Sequence, residues 1–106
     1  MRIVLHPDAR AEVRLAAIWY DAQRDGLAVE FMDAVSELLD SVRDRPLSYA
    51  VWPGTPAGEP EIRRASMTRF PYLAAFETHA DCVLVLAFAH AKRRPLYWLE
   101  RATMRP

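Results

Sequence analysis

The chain is expected to fold as an α+β domain of two layers. The order is β-α-α-β-β-β, with an N-terminal helical hairpin packed on one face of a mainly antiparallel sheet. Three observations point there. Two successive segments carry apolar residues at three- and four-residue spacing, as amphipathic helices do. Only a few residues, Asp25-Gly26 among them, separate these segments, so the helices return antiparallel. The last third of the chain instead carries short apolar runs broken by polar turns, as strands of a meander do. A length of 106 residues leaves room for one core, so residues 1–106 form a single domain.

Arg2-Ile3-Val4-Leu5 reads as a short first strand that must join the later sheet. Pro7 suits the first turn of a helix, and Asp8 and Glu12 complement its positive end. Val13, Ala16, Ala17 and Tyr20 share one face of that helix. Gly26, free to adopt the left-handed conformation, ends it. In the second helix Ala28, Phe31, Val35, Leu38 and Val42 form the stripe, widened by Met32 and Leu39. Arg43 and Arg45 favour its negative end, and Pro46 stops it. Residues 46–60 hold four prolines and two glycines and read as a long loop. Strands follow from Glu61 to Ala65, Tyr72 to Glu77 and Val83 to Phe88. The last is apolar almost throughout, as suits a central strand covered on both faces. Residues 96–101 are expected to form a short helix.

Composition narrows the function. With 52% hydrophobic and 26% charged residues the chain has material for a core and no signature of disorder. No apolar run reaches the roughly 18 residues that span a bilayer. The first residues lack the apolar region of a signal peptide, so a cytoplasmic location is expected. The lone Cys82 sits in an apolar run and reads as a small core residue. No glycine-rich phosphate loop, Cys-x-x-Cys or His-x-x-x-His occurs, so neither a cofactor nor a metal is expected. Net charge is zero but uneven. Residues 1–60 carry six Lys+Arg against ten Asp+Glu, and residues 61–106 carry eight against four. Thirteen of the fourteen cations are arginine, which favours bidentate contact with phosphate or carboxylate.

The candidate site residues lie in that basic half. Arg63 and Arg64 are neighbours on a strand and point to opposite faces. Arg69 follows in the next turn, and His90, Lys92, Arg93 and Arg94 leave the last strand, with Tyr97 and Trp98 beyond. Pairing of these strands would gather Arg63 or Arg64, Arg69 and the 90–94 segment on one exposed surface. Such a surface has two uses. It can bind RNA phosphates, with His90 or Tyr97 as acid or base for cleavage by a neighbouring 2′-hydroxyl. Alternatively, arginine and aromatic side chains anchor a protein interface. Trp98 also reads as a core residue, and His90 as a structural residue that closes the last strand.

The blocks Ile18-Trp19-Tyr20, Ile62-Arg63-Arg64, Arg69-Phe70-Pro71-Tyr72 and His90-Ala91-Lys92-Arg93-Arg94-Pro95-Leu96-Tyr97-Trp98 together resemble the RelE/ParE superfamily. These are toxins of bacterial type II toxin–antitoxin modules, also called plasmid stabilisation proteins. The resemblance spans nearly the whole chain. It implies a growth-inhibiting toxin neutralised by a cognate antitoxin in a hetero-oligomer, with an apolar groove on the helical hairpin to receive that partner. In the RelE-like branch the toxin is a ribosome-dependent mRNA endoribonuclease. Here Arg63 or Arg64 and Arg69 would match its strand arginines, and His90 or Tyr97 its late acid or base. In the ParE-like branch the toxin poisons DNA gyrase and needs a contact rather than catalytic residues. The single lysine and zero net charge favour the ParE-like branch, because entry among ribosomal phosphates calls for a positive surplus. A degenerate toxin that only binds its antitoxin is the third alternative.

Overall fold

A computed structural model describes residues 1–103; residues 104–106, including Arg105 of the basic half, lie outside the described residues. The elements are β1 (Arg2–Leu5), α1 (Pro7–Gln23), α2 (Leu27–Asp44), β2 (Ile62–Ser66), β3 (Tyr72–Thr78) and β4 (Cys82–His90). Single 3₁₀ turns lie at Pro46–Ser48 and Leu99–Arg101. The expected order is therefore found. The tail, however, makes one 3₁₀ turn rather than a helix, because Leu96, next to Pro95, adopts a left-handed φ of 62°.

The sheet order is β1-β4-β3-β2. β1 joins parallel to β4, with Arg2 opposite Cys82, and the other two pairings are antiparallel. β4 is thus a central strand. It carries a bulge: Ala75 faces Ala87 while Phe76 faces Val85, which leaves Leu86 as an extra residue. Leu86 and Ala87 consequently both turn to the face away from the helices, while Val85 and Phe88 turn towards them.

His6 starts α1, its Nδ1 accepting the Asp8 N–H at 3.0 Å, and Pro7 follows where no donor is needed. Gly26 opens α2 at φ 86°. A Cβ there would meet nothing within 4 Å, so the left-handed backbone and not crowding requires glycine. Ala9, Val13, Ala16 and Tyr20 of α1, with Phe31, Val35 and Val42 of α2, bury against the sheet. Met32 is exposed, so the apolar stripe of α2 is narrower than its sequence spacing indicates. Tyr20, Phe31 and Phe70 form a knot of rings 4.9–5.1 Å apart. Each such pair contributes about 0.5–1.5 kcal/mol beyond its buried area. Phe70 therefore ties the β2–β3 turn to the hairpin.

The sheet face away from the helices is covered rather than open. Ile62, Ala75, Leu86, Ala87 and Ala89 pack there beneath Trp98, joined by Trp52, Leu96 and Leu99. The segment 91–103 thus lies across the back of the sheet, and its fixed course positions the basic residues that begin it.

Candidate functional site

The cationic cluster begins where β4 ends. The Ala91 N–H donates to the Pro71 carbonyl at 2.7 Å, and the Arg93 N–H to the His90 carbonyl at 2.9 Å. His90 Nδ1 accepts the Lys92 N–H at 3.1 Å, which leaves Nε2 as the protonated nitrogen of the neutral ring. These bonds fold Ala91–Arg94 into a tight turn that leaves Lys92, Arg93 and Arg94 exposed. On β2, Arg64 lies on the same sheet face as Ile62, which is the tail side. A depression of about 210 Å³ there is lined by Trp52, Arg64, His90, Arg93, Arg94 and Trp98. Among the described residues Arg64, Lys92, Arg93 and Arg94 form no ion pair.

The other sequence-predicted residues lie elsewhere. Arg63 emerges on the helix side of β2, where it donates to the Tyr49 carbonyl at 2.6 Å and pairs with Glu61 at 3.3 Å. Arg69 pairs with Glu30, which also holds Arg24 at 3.0 Å. The expectation that Arg69 shares the patch is therefore corrected, and of the two adjacent strand arginines the patch takes Arg64. Strand alternation sends Arg63 the wrong way, and a carboxylate on α2 captures Arg69. Trp98 is fully buried with its ring 5.0 Å from that of Trp52, so it floors the depression from within the core and offers no exposed stacking surface.

Glu30 is held below the usual glutamate range, first by its bond to Arg69 and then by its bond to Arg24. A carboxyl lowered in the folded state adds stability above its unfolded value and loses it as pH falls through the folded one. In a carboxyl NMR titration Glu30 is expected to titrate below its free value. Arg69→Ala is expected to raise that midpoint towards it.

Tyr97 is not free. Its phenol donates to Glu12 Oε2 at 2.5 Å. Glu12 Oε1 accepts the Phe88 N–H and Arg101 Nη1, each at 3.0 Å. Burial, and then the bond to Glu12, push the phenol's pKa well above its ordinary value. The guanidinium carbons of Arg93 and Arg101 lie 4.1 Å and 5.4 Å from the Tyr97 ring centroid. Tyr97 therefore keeps its proton, and as a general base it is unsuited.

A second depression, of about 250 Å³, runs between α1 and the tail. Leu15, Trp19, Tyr72 and Phe88 line it together with His90 and Arg93. Leu15, Ile18 and Trp19 stand exposed at three- and four-residue spacing on α1, and Trp19 is 58% accessible. His90 and Arg93 belong to both depressions. Among the described residues no group of three or more His, Cys, Asp or Glu side chains is placed to hold a metal, and no helix is long and apolar enough to cross a membrane.

Sequence reasoning missed Glu12 and Arg101. Glu12 reads there as a charge complementing the start of α1, yet it is the point where helix, sheet and tail meet. A signal existed: position 12 falls within the stripe Ala9, Val13, Ala16, Tyr20, so a carboxylate stands among core positions. A charge in that place needs partners, and they come from the far end of the chain.

No family model matches the chain, and no curated protein matches it. Its fold is similar to that of a chain in a solved structure described as "Chromosomal ParDE TA system from P. aeruginosa". The likeness covers 87% of this chain and 97% of that one, at a TM-score of 0.60 and 18% identity. A similar fold thus occurs in a protein of quite different sequence.

Proposed function

We propose that the chain is the toxin of a type II toxin–antitoxin pair, of the ParE-like kind, which arrests growth by acting on DNA gyrase and is neutralised by a cognate antitoxin. The reading rests on one observation above all. Among the described residues, the late basic cluster presents Arg64, Lys92, Arg93 and Arg94 without internal ion pairs, and no complete acid–base set stands beside them. Tyr97 is committed to Glu12, and Arg63 and Arg69 are committed to Glu61 and Glu30. The patch is thus equipped for contact with an acidic surface and poorly equipped for RNA cleavage. The fold likeness to a ParDE chain supports the same branch. The exposed Leu15, Ile18 and Trp19 on α1 offer the antitoxin an apolar surface beside the patch.

Induced expression without antitoxin is expected to stop growth and to accumulate gyrase-cleaved DNA. Arg93→Ala/Arg94→Ala is expected to remove the arrest at equal protein level. Both side chains are exposed, so the double variant is expected to stay folded, within about 1 kcal/mol of the parent. Undiminished arrest by that variant would reject the patch. Cleavage of mRNA on programmed ribosomes, abolished by His90→Ala, would replace the gyrase reading with the RelE-like one.

A further inference from the structure

We infer that Glu12 is a positioning residue for the cationic patch: its carboxylate fixes Tyr97, and the Tyr97 ring fixes the guanidinium of Arg93. The inference deepens the toxin reading and depends on it only for the growth readout described below.

The first link is held from three sides. Oε1 of Glu12 takes the Phe88 N–H and Arg101, and Oε2 takes the Tyr97 phenol. Arg101 is held in turn by the Leu86 carbonyl at 3.1 Å and by Asp8 at 3.5 Å. A carboxylate with three donors on two oxygens has little freedom to swing. The Phe88 N–H it accepts lies beyond the reach of β1, whose last paired residue Leu5 faces Val85. Glu12 thus satisfies strand backbone that the sheet itself leaves unpaired.

The second link is the ring. Burial and the bond to Glu12 hold the phenol in its protonated, donating form. The backbone between Arg93 and Tyr97 is a constrained turn, with Leu96 at φ 62°. A bulky residue holds that conformation only where its neighbours are anchored. The Arg93 N–H on the His90 carbonyl anchors one side, and the Tyr97 phenol on Glu12 anchors the other.

The third link is the guanidinium. Arg93 has no ion pair among the described residues, and an exposed arginine samples many rotamers. Its contact with the Tyr97 ring, 4.1 Å from centroid to guanidinium carbon, selects among them. Ordering the side chain before the partner arrives removes part of the entropic cost of binding. Arg94 has no such ring contact among the described residues and serves as an internal control.

The test follows the Arg93 Nε–Hε resonance in ¹⁵N-labelled protein. In the parent it is expected upfield of the Arg94 resonance, because the guanidinium lies over a ring, and to exchange slowly with water. Tyr97→Leu is expected to abolish the displacement. Tyr97→Phe keeps the ring but cuts its tie to Glu12, and Glu12→Gln removes the charge at constant shape. Both are expected to move the Arg93 resonance towards that of Arg94 and to speed its exchange. A residue that only clamps the tail would leave the resonance in place in both variants, and that result overturns the inference. Should Glu12→Gln fail to fold, Tyr97→Phe alone decides. Growth arrest is expected to weaken in parallel with the resonance shift. A parent protein without any growth effect would refute the toxin reading and leave the resonance test intact.

Discussion

Trp98→Ala is expected to lower folding stability by about 3–5 kcal/mol, measured as a shifted urea midpoint at unchanged slope. The indole is fully buried between the back of the sheet and Trp52. Its removal leaves a cavity over Ala75, Ala87 and Ala89, side chains too short to fill it. Against the roughly 5–15 kcal/mol of a small domain, such a loss approaches global unfolding. Trp98→Phe is a sharper test. The indole Nε1 is buried without a hydrogen-bond partner among the described residues. Phenylalanine removes that orphaned donor, relieving about 1–3 kcal/mol, and gives up a comparable amount of apolar contact. The phenylalanine variant is therefore expected within about 1 kcal/mol of the parent. A large loss in both variants would mean that the indole nitrogen has a partner.

Glu12→Ala is expected to cost about 2–3 kcal/mol. Breaking a fully buried ion pair costs about 3–5 kcal/mol, because the remaining charge stays desolvated. Here the figure is reduced. Side-chain exposure is 15% for Glu12 and 14% for Arg101, and Arg101 keeps the Leu86 carbonyl and Asp8. The stranded Phe88 N–H adds to the loss. In a double-mutant cycle Glu12→Ala and Tyr97→Phe are expected to be less destabilising together than the sum of the singles, because both break one bond. Strict additivity would show that the phenol and the carboxylate do not interact in solution.

What the sequence discloses here is what depends on local spacing. The stripes of α1 and α2, the stop at Pro46 and the three late strands all follow from periodicity and turn residues. Arg93 and Arg94 are adjacent in the chain, so their nearness in space needed no fold. The rest depends on parity and distance. Whether Arg63 or Arg64 reaches the patch turns on which face of β2 the tail covers. The bulge at Leu86 resets that parity in β4 and has no marker in an unbroken apolar run. Arg69 reads as free until Glu30, thirty-nine positions earlier, is seen beside it. The tail reads as a short helix, yet Leu96, Trp98 and Leu99 serve as a cover for the sheet.

The pairing of β1 with β4 has a kinetic corollary. Arg2 lies opposite Cys82, so the first strand waits for a partner made eighty positions later. Glu12 likewise waits for Arg101. Contacts so distant along the chain slow the search for the native state, since a long loop must close before any reward is gained. During synthesis the opening strand and the carboxylate hub therefore stay unpaired until β4 and Arg101 have been made.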